Sequence, residues 1–211
     1  MNRPTLADNA SGSLDKADMG TDPLHTVDEN EGNPVGLDDD GAQAIATDLD
    51  AHLATYGVLY HQYHKHHWLV VGPQFRDLHL HLEEYYNEVH KDFDELAERL
   101  TVLGGIPTCS PSEQEKLAYI QHEPEGQYRV RQMLELDILC EKRVCQKLRD
   151  SIRLSLEHGD FGTKSMLEAI LFRAENRAHH LEHFLESDTM EVGLTASEDE
   201  VSEDPVLEEI G

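Results

Sequence analysis

The spacing of the stop signals constrains this chain most. Gly72-Pro73, Gly104-Gly105 with Pro107 just beyond, and Gly159 punctuate long stretches that carry no other strong break pattern. Glycine past the last helical residue and proline at a helix start or beyond its end mark helix boundaries. The stretches between them have an apolar period of three and four residues, as in Leu96, Leu100, Leu103 and in Met133, Leu136, Ile138, Leu139, which is the helical period. The spacing predicts four helices, over about residues 41–70, 73–104, 127–157 and 162–186. A long connection, 106–126, joins the second to the third and holds a short helix near Ser112–Tyr119. No Val/Ile/Thr-rich alternating segment calls for a sheet. Four helices of about 25–30 residues with one long connection describe an all-α bundle.

Composition bounds the partners. The formal net charge of the 211 residues is −26. Residues 1–40 hold ten acids against Arg3 and Lys16, and residues 187–211 hold nine acids and no Lys or Arg. Both ends read as acidic tails, disordered or loosely draped, flanking a bundle over 41–187; Val206, Leu207 and Ile210 are apolar side chains able to dock. A phosphate backbone is bound mainly by Lys and Arg, so tight DNA binding is not expected. Cys109, Cys140 and Cys145 show no CxxC spacing and read as reduced thiols that pack. No apolar run approaches the roughly 18 residues of a membrane span, and no basic-then-apolar leader opens the chain. The expectation is a cytoplasmic protein.

Six histidines crowd into residues 60–84: His61, His64, His66, His67, His79 and His81. The second helix then continues with acids. At about 100° per residue, with His79 at zero, Glu83, Asn87, His90, Asp94 and Glu98 all fall within an arc about 100° wide. That arc is where an apolar stripe would lie if the face packed into a core. His79 and Glu98 are about 28 Å apart along the helix, too far to share one metal in one chain. The pairs 79/98, 83/94 and 87/90 share one midpoint. Two copies of this helix crossing antiparallel there would set His79 and Glu83 of one against Glu98 and Asp94 of the other, giving a two-fold dimer with two identical sites. Oxygen and nitrogen donors without thiolate favour iron, zinc or manganese, and His67 offers one more nitrogen. Spacing alone leaves a second reading open: a solvated face of an acidic protein. Single-chain di-iron bundles use Glu-x-x-His on two helices, and neither the second nor the fourth helix carries that pair.

The words of the sequence carry a resemblance. His67-Trp68, Gly72-Pro73, His79 with Glu83, Asp94 with Glu98-Arg99, and Leu103-Gly104-Gly105-Ile106-Pro107 resemble the motifs of the Dps-type mini-ferritins, the DNA-binding proteins from starved cells. The wording is nearest to the cyanobacterial and haloarchaeal branches, and the likeness covers about residues 41–187. The resemblance implies a ferritin-like four-helix bundle assembled as a hollow homododecameric shell. It implies ferroxidase centres at two-fold interfaces, with His67, His79 and Glu83 from one subunit and Asp94 and Glu98 from the other. It implies oxidation of Fe(II), preferably by hydrogen peroxide, at a di-iron or mono-iron centre, with zinc as a competitor. The ferric oxide is then stored and oxidative damage limited. Many members have Asp where Glu83 stands, and a Lys where His64 stands.

His64 and His90 lie beside the candidate site, as added ligands, proton-relay groups or plain surface histidines. Trp68 packs at an interface or takes up stray oxidising equivalents. On the fourth helix Glu175, His179 and His183 form a column at i, i+4, i+8, read as a metal relay or an exposed polar face. Asp160 and Glu168 are candidates for an acidic pore at a three-fold axis. The competing function is a structural shell, metal-binding or DNA-associated, without significant turnover. Neutral imidazole is needed for binding iron, so affinity should fall on acidification.

Overall fold

Asp38 begins the first helix: its carboxylate accepts from the Gly41 amide at 2.7 Å, and Asp39 and Asp40 follow in the first turn, where acids complement the helix dipole. The helix therefore starts two residues before the sequence boundary. The computed structural model describes residues 24–26 and 32–186. Most of the two expected tails lies outside these residues. Among them are five helices: α1, Asp39–Leu69; α2, Phe75–Val102; α3, Pro111–Leu117; α4, Val130–Glu157; and α5, Phe161–Leu185. No strand occurs among the described residues.

The stop signals act in two ways. Pro73 lies two residues ahead of α2 rather than inside it. Gly72 has φ +100° and its carbonyl accepts from the Phe75 amide at 3.0 Å, a tight turn in which proline suits the second position. The ends of α2 and α4 repeat one motif. Gly105 N–H donates to Leu100 O and Gly104 N–H to Thr101 O; Asp160 N–H donates to Ser155 O and Gly159 N–H to Leu156 O. Gly104 and Gly159 hold positive φ, 85° and 72°, as this cap requires.

α1 packs along α2 and α4 along α5, and α1 joins the two hairpins by lying against α4 and α3. Leu49, Leu53, Leu59, Leu78, Leu82, Val89, Leu96, Leu100, Val144, Leu148, Leu167 and Ile170 fill the interior. Met133 and Ile138 are buried as the periodicity predicts, but Leu139 is 65% exposed. Adjacent apolar positions at 138 and 139 sit about 100° apart, so only one can face inward.

Several polar groups also enter the core together with their partners. Arg177, 1% exposed, binds Glu141 and Glu88, both at 2.6 Å. Arg173 binds Asp92 at 2.7 Å and Glu95 at 2.8 Å. His52 spans Tyr119 and Ser151, each at 2.7 Å. The long connection is pinned at several points: Asp50 accepts from Thr108 N and Oγ1, and Lys65 binds Glu123 at 2.8 Å. Arg99 ties the end of α2 to Asp160 at the start of α5 at 2.7 Å.

Candidate metal centre

Successive residues of a helix point about 100° apart, so α1 sends His66 and His67 to different environments. His66 turns inward and is fully buried, 2.7 Å from Asp137 and 3.1 Å from Glu123. Burial alone would lower its pKa, but the two carboxylates outweigh it and raise it, which favours the protonated ring, and His66 serves the core. His67 turns outward to α2. Its Nδ1 donates to the carbonyl of His79 at 2.9 Å, and the Nδ1 of His79 donates to the carbonyl of His67 at 2.9 Å. The two rings stack with centroids 3.7 Å apart. A carbonyl can only accept, so each Nδ1 carries a proton, and in the neutral ring the lone pair then lies on Nε2. Both imidazoles are thus set in the tautomer a metal uses.

Glu83 follows one turn after His79, half-buried and without an ion-pair partner among the described residues. Asp94 and Glu98 are exposed further along the same face of α2 and are also unpaired among the described residues. The buried residues of α2 are Leu78, Leu82, Tyr85, Val89, Asp92, Leu96 and Leu100, so the imidazole–carboxylate face looks out of the bundle. One chain brings His67, His79 and Glu83 to one end of α2 and leaves Asp94 and Glu98 about 22–28 Å from His79 along the helix. Among the described residues no three His, Cys, Asp or Glu side chains converge as a metal site. The donors present at this end, two imidazoles and a carboxylate, are of the types that suit iron.

An aromatic wall adjoins the pair, and no motif or spacing in the chain signals it. Tyr86 packs edge-on to His67 at 5.3 Å and against His64 at 3.9 Å. His64 stacks on Trp68 at 5.1 Å. Tyr60 touches both His64 at 4.6 Å and His90 at 5.3 Å, so His64 flanks the centre while exposed His90 stands one ring further out. Partial burial, and after it the imidazoles of His67, His61 and His90, push the His64 pKa down, which favours the neutral form. Trp68, Val71 and Phe75 are 67%, 56% and 45% exposed around the two histidines.

Two expectations need correction. Asp160 is not a free pore carboxylate: it is 4% exposed, caps α5 through the Thr163 amide at 2.9 Å and binds Arg99. Glu175 does not complete a column with the fourth-helix histidines, because Arg149 holds it. His179 and His183 do meet, edge to face at 4.2 Å, both exposed. Glu168 is exposed and pairs with Lys164 at 2.6 Å. The core arginines were missed, though Arg177 sits on the buried stripe Ile170, Ala174, Leu181, a visible anomaly.

A bundle of two helical hairpins with a long crossing connection defines a ferritin-like protein, and the model of the ferritin-like domain matches residues 46–190. A DNA protection during starvation protein of Halobacterium salinarum is 40% identical over 166 residues, 78% of this chain and 91% of the relative. A nutrient stress-induced DNA-binding protein of Nostoc is 38% identical over 162 residues, 77% of this chain and 88% of the relative. The crystal structure of an archaeal Dps homologue from H. salinarum superposes with TM-score 0.79 at 38% identity, covering 83% of this chain and 98% of that one. The Vibrio cholerae Dps structure, described as a member of a broad superfamily of ferritin-like diiron-carboxylate proteins, superposes with TM-score 0.70 at 30% identity, covering 74% of this chain and 97% of that one. The chain belongs to the Dps family of ferritin-like proteins.

Proposed function

We propose that this protein is a ferroxidase and iron-storage mini-ferritin. Two α2 helices cross antiparallel in a two-fold dimer, and His67, His79 and Glu83 of one subunit meet Asp94 and Glu98 of the partner subunit. Six such dimers close a dodecameric shell in the cytoplasm. The observation that carries this reading is the reciprocal clasp of His67 and His79, which aims two free Nε2 atoms outward beside unpaired Glu83. Exposed Trp68, Val71 and Phe75 supply the apolar rim for a second copy, because large apolar side chains at a polar rim mark contact surfaces.

In the reaction, two Fe(II) substrates each give one electron to one peroxide, whose O–O bond breaks to the level of water, and the two Fe(III) hydrolyse and release protons as they join the oxide. Imidazole favours entry of Fe(II), while carboxylates favour the higher charge of the product. His64 and His90 act as further nitrogen donors or proton relays behind Tyr60, and Trp68 takes up stray oxidising equivalents through the His64–Tyr86 contact. His179 and His183 form a second, two-imidazole surface site for Fe(II) or zinc. The acidic chain raises the local concentration of cations and disfavours tight DNA binding at moderate salt, although two relatives bear names that speak of DNA.

Fe(II) is added without oxygen, peroxide follows, and ferric-oxide absorbance is recorded. Rapid growth of the band, lost when zinc occupies the centre, is expected. Binding of iron or zinc with no oxidation would instead assign a storage or scavenging shell without turnover. Sedimentation of the assembled protein tests the dodecamer separately.

A further inference from the structure

Helix α4 carries a patch that the fold itself leaves uncovered. Exposed Leu139 lines a shallow apolar hollow with Ile120 and Leu136, and Lys142 and Arg143 stand on its edge. A second hollow shares Arg143 and continues through Lys147, Arg149 and Arg153. Five of the chain's 17 cations thus fall within residues 142–153. Glu175 holds Arg149, Asp150 holds Arg153, and Glu182 reaches Lys142 at 3.8 Å. Arg143 and Lys147 make no ion pair among the described residues; Lys147 only overlies the Tyr119 ring at 6.0 Å.

Two unpaired cations beside an exposed leucine, in a chain of net charge −26, match a ligand that is both acidic and apolar. Residues 188–211 have that chemistry: nine acids, no Lys or Arg, and Val206, Leu207 and Ile210 set among Glu203, Asp204, Glu208 and Glu209. Reach is not limiting. The end of α5 lies at the start of α4, where Arg131 donates to the Leu185 carbonyl at 3.3 Å. Lys142 and Lys147 are about 17–24 Å further along α4, whereas the 20 residues from Glu186 to Val206 span up to about 65 Å when extended. A nucleic-acid backbone would use the cations but not Leu139.

We infer that the acidic C-terminal segment, residues 188–211 of the same chain, docks on the α4 patch, with its apolar side chains against Leu139 and its acids over Arg143 and Lys147. The inference is independent of the iron centre.

Carbodiimide joins a lysine amine to a carboxylate only when the two are in contact. Applied to the full assembled chain and read by peptide mass spectrometry, it should join Lys142 or Lys147 to acids within 188–211. The variant Leu139→Glu/Arg143→Glu changes only exposed side chains and keeps both lysines; it should lower the yield about fivefold or more. Val206→Ser/Leu207→Ser/Ile210→Ser should lower it from the other side. The inference is overturned if no such product forms, if Lys91, Lys116 or Lys164 capture the segment as often, or if both variants leave the yield unchanged. It is equally overturned if the full chain retains duplex DNA in a gel shift and Arg143→Glu abolishes the retention, which would assign the patch to nucleic acid.

Discussion

Glu88 and Asp92, on the inward side of α2, are each held by arginine, whereas Glu83, Asp94 and Glu98, on its outward side, have no ion-pair partner among the described residues. One helix thus treats the same chemical group in two ways. Inside, a carboxylate removed from water must bring its own cation. Even so, burial outweighs Arg177 and Arg173 at Asp92 and raises its pKa to about 6. Outside, water solvates the charge, and the carboxylate remains available to something that arrives later. Unpaired acids on a surface are ordinary by themselves. What sets the outer face apart is the clasped pair of imidazoles at one end of it.

The contrast breaks most visibly at Arg177. Arg177→Met leaves buried Asp92 and Glu141 without that guanidinium, and unfolding in urea should show a loss of about 3–5 kcal/mol. A loss below about 1 kcal/mol would mean that the inner acids do not depend on their cation. Next in size is a pH effect from His52, whose burial lowers its pKa from 6.5 to about 4. The folded chain keeps this ring neutral while the unfolded chain takes up a proton below about pH 6.5. The stabilisation is therefore complete above that pH and shrinks as pH falls toward 4, by up to about 3 kcal/mol. His52→Gln, compared with the parent by denaturation at pH 7 and pH 4.5, should lose less stability across that interval.

On the outer face the expected loss is in activity. His67→Ala or Glu98→Ala should slow peroxide-driven oxidation of Fe(II) about 10–100-fold, followed by stopped-flow absorbance. The smallest effect sharpens the comparison further: Glu98→Gln and Asp94→Asn should each shift stability by no more than about 0.5 kcal/mol. A larger loss in thermal unfolding would show that the outer acids serve the fold after all.

Much of this was legible in the residues, and the exceptions have physical causes. The helices followed from period and punctuation because the positive φ that ends α2 and α4 calls for Gly104 and Gly159. The outward face of α2 followed from angular arithmetic on His79, Glu83, Asp94 and Glu98. Leu139 and Asp160 were misread for related reasons. Periodicity does not say which of two adjacent apolar residues turns inward, and an acid before a helix is as able to cap it as to line a channel. The bond between Arg99 and Asp160 joins residues 61 positions apart, and no local pattern encodes such a pairing. The clasp was legible only in part: the sequence offers both imidazoles, but the carbonyls that orient them belong to the backbone and carry no letter.

The mutual clasp has a genetic consequence. Each ring is steered by the other residue's main chain, and each side chain in turn secures the helix segment that steers its partner. Losing one imidazole leaves the carbonyl that orients the other but strips away the ring stacked 3.7 Å from it and loosens the segment that carries that carbonyl, so the effects of single substitutions at the two positions should not add. The pair should behave as one heritable unit, with strong epistasis between positions 67 and 79.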